Sequence, residues 1–306
     1  DESAEADVLA LLGRVAHLWG SYEEALGHYR AALPLERRAG DRLGEAEILR
    51  NLGLAEVDFG NFTRALDYFD QALGIYAELN HRPRQAIALA NRASAFRWLG
   101  RYADAEDTAR HAEEMARSCG SRSALAAASL ARAIAIGAAG RVEEAKELLS
   151  ELVVLAPTLH QSTLEARAWL ALGELETGTR AKEATQRARD VASRSGLIHV
   201  EVLGLTRLAD LALEADDPEA ADHDSQRALE LLEQHGDIQG PDEIVYYVRS
   251  RVLAALGRAK EAESTRERAR EIIRETASSI EDEEFRRSFL ENVAPNPEIM
   301  APAGAE

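Results

Sequence analysis

The chain has 306 residues, of which 46% are hydrophobic and 5% are aromatic, and it carries 54 acidic against 36 basic residues, a net charge of −18. This charge disfavours nucleic-acid binding, because neutralising phosphates needs a basic stripe. A single cysteine, Cys119, excludes an intrachain disulfide and a cysteine-based zinc cluster. No apolar run of about 18 residues is present, so we expect no membrane span and a cytoplasmic location.

The first half of the chain repeats with a period of 40 residues. A fixed period of this length indicates a solenoid, in which each unit packs on its neighbours. Three columns, that is, equivalent positions in four successive units, stay in register, and their members are Gly20, Gly60, Gly100 and Gly140; Tyr22, Phe62, Tyr102 and Val142; and Ala25, Ala65, Ala105 and Ala145.

Each unit is predicted to be two helices joined by a tight turn. In the second unit the first helix runs from about residue 46 to 59, and Gly60 supports the reversal. The apolar residues of the second helix recur at steps of three and four, which marks one helix face. Residues that end helices in the left-handed conformation are expected between units, at Gly40, Asn80, Gly120, Gly196 and Gly236.

In the second half the register loosens, but hairpins remain recognisable. Leu172-Gly173 keeps step, Asp216 stands at the next turn, and Gly257 stands at the last. We therefore predict seven hairpins over residues 1–280. A further amphipathic helix, from Glu281 to Val293, is expected to cover the exposed end of the stack, and the tail from Ala294 is expected to be loose.

The second unit carries the clearest family pattern, with Leu49, Leu52-Gly53, Gly60, Phe62, Ala65, Phe69 and Ala72. This pattern resembles the tetratricopeptide repeat, in a long subtype similar to that of cell-polarity adaptors, kinesin light chains and bacterial signalling proteins. The resemblance implies an all-α, right-handed α-solenoid of about seven hairpins with a C-terminal capping helix. It also implies binding of a protein or peptide, and Gly53 facing Ala65 within the hairpin.

The C-terminal block from Phe285 to Val293 is similar to the end of tetratricopeptide regions in large bacterial signalling proteins. A plain capping helix would need the same apolar spacing. The leading hypothesis is a non-enzymatic docking module of such a protein. The alternative is a sensor arm that binds a small molecule or signal peptide and regulates an effector domain.

The resemblance implies that the first helices of successive units line a concave groove. Asn51 and Asn91 are placed to hydrogen-bond a peptide backbone, and Arg14, Arg50 and Arg97 to hold carboxylates of an acidic partner. A solvated polar face is the alternative interpretation of these residues. Carrying the register along the chain gives the candidates Arg14, Arg50, Asn51, Asn91, Arg97, Arg207, Asp210, Tyr247 and Arg251, with His17, Ser94 and Glu174 at equivalent places.

No catalytic or metal-binding pattern is found in the sequence. The eight histidines are scattered, and Asp222-His223-Asp224 is better explained as a helix surface than as a metal site. Cys119 has no base beside it in sequence, so a structural thiol is favoured over a nucleophile. We predict no catalytic residue, no metal and no cofactor. The partner's identity and the oligomeric state stay open.

Overall fold

The computed structural model describes residues 2–235 and 242–301, and every regular element in these ranges is helical. Fourteen of the helices form seven antiparallel hairpins, as the repeat predicted. The helices are α1 (Glu2–Leu18), α2 (Tyr22–Ala39), α3 (Arg42–Asp58), α4 (Phe62–Glu78), α5 (Arg82–Trp98), α6 (Tyr102–Ser118), α7 (Arg122–Ala138), α8 (Val142–Leu155), α9 (Ser162–Leu175), α10 (Gly178–Ser195), α11 (Ile198–Glu214), α12 (Pro218–Gln234), α13 (Asp242–Ala255), α14 (Ala259–Ser279), α15 (Glu283–Asn292) and α16 (Asn296–Met300), with a 3₁₀ helix over Ala156–Leu159 after α8. None of the described helices is long and apolar enough to cross a membrane.

The turns inside the hairpins follow the predicted glycine column. Gly20, Gly60, Gly100 and Gly140 all have positive φ, between 70° and 86°, a conformation that favours glycine. The predicted helix ends at Gly40, Asn80, Gly120 and Gly196 also adopt positive φ. The predicted end at Gly236 lies outside the described residues.

Close packing within a hairpin depends on glycine, but its partner differs from the one expected. A Cβ added to Gly53 would lie 2.5 Å from the ring of Phe69, so the aromatic ring of α4 fills the space that we expected Ala65 to face. Gly13 meets the ring of Tyr29 in the same way, at 2.6 Å. The aromatic position of one helix therefore packs over the glycine of its partner in both of the first two hairpins.

The C-terminal helices cover the last hairpin, as predicted, and they also contact helices much earlier in the chain. Phe289 of α15 lies in one buried cluster with Phe62 of α4 and Leu99, and the two phenylalanine rings are 6.0 Å apart. Arg101 donates to Glu284 at 2.7 Å, and the Tyr102 hydroxyl donates to a carbonyl oxygen of α15 at 2.8 Å. We call these contacts of α15 with α4 and with the turn between α5 and α6 the closing interface.

Part of the segment that we expected to be loose is ordered. Residues 296–300 form α16, in which Ile299 is fully buried. Arg270 donates to the carbonyl oxygens of Ile299 and Ala301 at 3.0 and 3.1 Å. The side chain of Asn296 donates to the carbonyl oxygen of Phe289 at 3.0 Å. These bonds hold the segment against α14 and α15.

A second long-range contact brings the first hairpin to the sixth and seventh. Tyr22 is 1% exposed and lies in one cluster with Val202 and Leu205 of α11 and Val245 of α13. Together with the closing interface, this contact brings the first three hairpins back against the last two. The solenoid therefore closes on itself around its concave face.

Candidate functional site

A cavity of about 590 Å³ lies on the concave face. Its walls come mainly from α1, α3 and α5 on one side and from α9 and α11 on the other, and α2 and α7 add Tyr22, Tyr29 and Ile134. The first helices of the early hairpins contribute their middle and C-terminal parts, α9 contributes residues along its whole length, and α11 contributes its N-terminal part. The volume is within the range of about 300–1,000 Å³ that is common for small-ligand sites.

Five of the predicted groove residues meet at this cavity, and they are Arg14, Arg50, Asn51, Asn91 and Arg97. The equivalent positions His17, Ser94 and Glu174 line it as well. The register of the first half of the chain therefore identified the residues that the fold brings together.

The other four predicted residues lie elsewhere and interact with protein groups. Arg207 donates to Asp210 at 2.8 Å, and Asp210 also pairs with Arg251. The Tyr247 hydroxyl donates to Glu298 at 3.0 Å, and Tyr247 is buried in the cluster that contains Phe289. Arg207 and Asp210 are absent from the cavity because they lie in the C-terminal half of α11, whereas the N-terminal part of that helix lines it. Tyr247 and Arg251 are absent because no described residue of α13 lines the cavity.

The sequence analysis missed two basic cavity residues, Arg167 of α9 and His199 of α11. Arg167 lies two turns before Glu174, and His199 lies two turns before Arg207, so each shares a helix face with a position that the register marks. Extending the predicted face toward the start of each helix would have found both residues.

Two polar groups in the cavity wall have unused hydrogen-bonding capacity. The Asn91 Nδ2 and the Tyr29 hydroxyl are buried and have no hydrogen-bond partner among the described residues. Asn51, in contrast, accepts from Arg50 at 2.7 Å. An unsatisfied buried group costs about 1–3 kcal/mol, so a ligand that satisfies these groups gains affinity.

The acidic residues of the cavity have two different environments. Burial raises the pKa of Glu174, and the charges of Arg97 and Arg207 oppose this shift. Burial also acts to raise the pKa of Asp58, but the hydrogen bond from His17 at 2.6 Å and nearby positive charges leave that pKa below its ordinary value. Asp58 thus has a partner in the protein, whereas Glu174 has no hydrogen bond or ion pair with any described residue.

The basic side chains give this region a character unlike that of the chain as a whole. Four arginines, Arg14, Arg50, Arg97 and Arg167, line the cavity of a protein whose net charge is −18. Within the described ranges no group of three or more His, Cys, Asp or Glu side chains is arranged to hold a metal ion. The chemistry that the cavity supports best is the binding of a ligand that accepts hydrogen bonds and carries negative charge.

In a comparison with known protein families, the N-terminal hairpins match one repeat family. The tetratricopeptide repeat model matches residues 3–78 and 44–118. No curated protein sequence matches the chain.

Several solved structures share the fold of the chain. A Rap protein complexed with competence and sporulation factor has a TM-score of 0.72 and 17% identity, over 90% of this chain and 76% of that one. The Rap conjugation gene regulator of plasmid pLS20, in complex with the Phr* peptide, has a TM-score of 0.69 and 13% identity over the same shares. Aspartyl phosphate phosphatase F from Bacillus subtilis has a TM-score of 0.60 and 16% identity, over 88% of this chain and 70% of that one.

Proposed function

We propose that this chain, whose N-terminal hairpins match the tetratricopeptide repeat, binds a peptide, or an extended segment of a protein, in the cavity between its first helices. The observation that carries this proposal is the convergence of hydrogen-bonding groups without protein partners on a cavity of ligand size. A peptide backbone presents donors and acceptors at every residue, so it can use both the amide of Asn91 and the hydroxyl of Tyr29.

Two of the similar structures support a peptide ligand. One of these Rap proteins is described in complex with the Phr* peptide, and another in complex with competence and sporulation factor. They share the fold of this chain at low identity. The choice of site here therefore rests on the cavity's own residues.

A further part of the proposal concerns the larger protein to which the chain belongs and where that protein acts. We infer that the chain is a non-enzymatic docking module of a larger bacterial signalling protein and that it acts in the cytoplasm. The resemblance of the C-terminal block and the likeness to the Rap fold support this context.

A sensor arm is the second candidate, and the closing interface favours it. The cavity lies inside a solenoid whose late helix α15 contacts the turn between α5 and α6. A ligand that binds the closed form better than an open form shifts the molecule toward closure. Such a change of shape is what a sensor passes to an effector domain.

Selection from a random peptide library tests the proposal. The purified chain is immobilised, and the retained peptides are identified by mass spectrometry. We expect the wild type and the exposed-surface variant Gln71→Ala to retain the same peptides, and the double variant Asn51→Ala/Asn91→Ala to lose them. Equal retention by the double variant, with its helical circular dichroism intact, would place the binding site outside this cavity.

A further inference from the structure

Two cavity arginines stand apart from the other arginines of the protein. Arg97 and Arg167 are partly buried, yet neither makes a hydrogen bond or ion pair with any described residue. Every other buried or partly buried arginine in the described ranges donates to a carboxylate or a carbonyl group. Arg132, for example, pairs with Glu113 at 3.2 Å and with Glu144 at 3.1 Å. The guanidinium groups of Arg97 and Arg167 line the cavity without a partner in the described part of the chain, so their donors are available to a ligand.

The geometry leaves the donors of Arg97 free to bind. Its guanidinium stacks on the Trp98 ring, 3.5 Å from the ring centre. Stacking occupies the flat face of the group and leaves the N–H edge available for a planar acceptor. Arg167 comes from α9 on the facing wall of the same cavity. Two guanidinium groups thus approach one space from opposite sides.

Two acidic residues, Asp58 and Glu174, lie near this pair without forming an ion pair with it. Burial lowers the pKa of Arg97 to about 10 and also lowers the pKa of Arg167. Burial lowers the pKa of His199 too, and both arginines lower it further. Of the two nearby acids, Asp58 is bonded to His17, and the pKa of Glu174 is raised by burial.

We propose that Arg97 and Arg167 form a subsite for a carboxylate of the bound peptide. This inference rests on the proposed function and names the chemistry of its ligand. With Glu174 and Asp58 ionised, two nearby carboxylates already offset much of the charge of the two arginines, so the site matches a monoanion better than a phosphate dianion. Planar bidentate pairing with arginine also fits a carboxylate. The carboxylate belongs to the C-terminus of the peptide or to an Asp or Glu side chain.

Two peptide libraries of equal composition, one with free C-terminal carboxylates and one amidated, distinguish these sources. Retention of only the free-acid peptides supports the C-terminal carboxylate. Retention from both libraries, with enrichment of Asp or Glu, supports a side-chain carboxylate. In either case the variant Arg97→Gln/Arg167→Gln is expected to weaken binding about tenfold or more, because hydrogen bonds to charged groups are worth about 1.4 kcal/mol or more.

A control matches the change of charge. Arg110→Gln/Arg258→Gln removes two exposed arginines outside the cavity and is expected to leave binding unchanged. The melting temperature of the Arg97→Gln/Arg167→Gln variant distinguishes a binding role of the two arginines from a structural role. Removing unpaired cations from the cavity is expected to maintain or raise the melting temperature, whereas a structural role predicts a fall.

Failure of the carboxylate subsite can be distinguished from failure of the proposed peptide binding. If the Arg97→Gln/Arg167→Gln variant retains the same peptides with unchanged affinity, the carboxylate subsite is refuted and peptide binding in the cavity stands. If inorganic phosphate displaces the peptides more effectively than acetate, the preference for a monoanion is refuted. If the wild type retains no peptide from either library, the proposed function fails, and the subsite fails with it.

Discussion

At the scale of single residues, the contact between Gly53 and Phe69 limits how closely α3 and α4 approach. A methyl group at Gly53 would meet the buried ring of Phe69 at 2.5 Å. We expect Gly53→Ala to lower the free energy of unfolding by about 1–3 kcal/mol, because overpacking forces shifts in a dense core. Urea denaturation measures this change.

Gly74→Ala is the matched control for that substitution. Gly74 is an exposed residue of α4, and nothing lies within 4 Å of an added Cβ. Alanine there should stabilise the helix by about 0.5–1 kcal/mol, since glycine is the poorer helix former. Equal effects of the two substitutions would show that helix propensity outweighs the packing of the ring.

The carboxyl group of Glu243 makes the free energy of unfolding depend on pH. Burial raises the pKa of this carboxyl group from its ordinary value of 4.5 to about 7. The folded state then binds more protons than the unfolded state between these values, so this group's contribution to stability falls as the pH rises from about 4.5 to about 7. Above pH 7 the full cost of an ionised buried carboxylate is present.

The substitution Glu243→Gln removes this pH-dependent contribution to stability. We expect the variant to melt at a higher temperature than the wild type at pH 8 and at nearly the same temperature at pH 4.5. Melting curves between these pH values check the trend. A difference between the two proteins that is constant across the range would mean that Glu243 does not titrate there.

At the scale of elements, Gly100 connects the turn between α5 and α6 with α15. A Cβ at Gly100 would lie 2.6 Å from the carbonyl oxygen of Ser288, whereas a Cβ at Gly140 has nothing within 4 Å. Both glycines have positive φ, so an alanine strains the backbone at each. The difference between the two substitutions therefore isolates the closing interface.

We expect Gly100→Ala to destabilise the fold by about 1–3 kcal/mol more than Gly140→Ala does, because the added methyl group displaces α15. Gly100→Ala should also increase the radius of gyration measured by small-angle X-ray scattering. If the two variants have the same melting temperature and the same radius of gyration, α15 does not hold the solenoid closed.

The hairpins could be predicted from sequence because their signals are local. Gly60 with positive φ and the apolar face of α4 lie within one unit. The predicted cover of the end of the stack is confirmed, because α15 lies in one buried cluster with Ile273 of α14. Its second contact, with Phe62 of α4, could not be predicted in this way, since the spacing of Phe285 and Phe289 marks an apolar face but does not say which distant helix meets it. The curvature of the whole solenoid brings α4 to that face.

At the scale of the whole molecule, curvature also decides which groove residues meet. The repeat register found Asn51, Asn91 and Arg97, because α3 and α5 have equivalent positions in successive units. It failed for Arg207, which keeps the register but pairs with acidic residues in the C-terminal half of α11, beyond the part of that helix that lines the cavity. Register specifies a helix face, whereas superhelical twist specifies which part of that face reaches the centre.

The closing interface also changes how the chain is expected to fold. In an open repeat array, stability is a sum over neighbouring units, and the ends fray independently. Here Tyr102 bonds to a residue 190 positions later, and Asn292 bonds back to Gly100 across 192 positions. Such contacts raise the contact order, and closing a long loop before they form costs entropy. The third hairpin and α15 therefore gain or lose order together, which couples the early repeats and the C-terminal part of the chain into one cooperative unit.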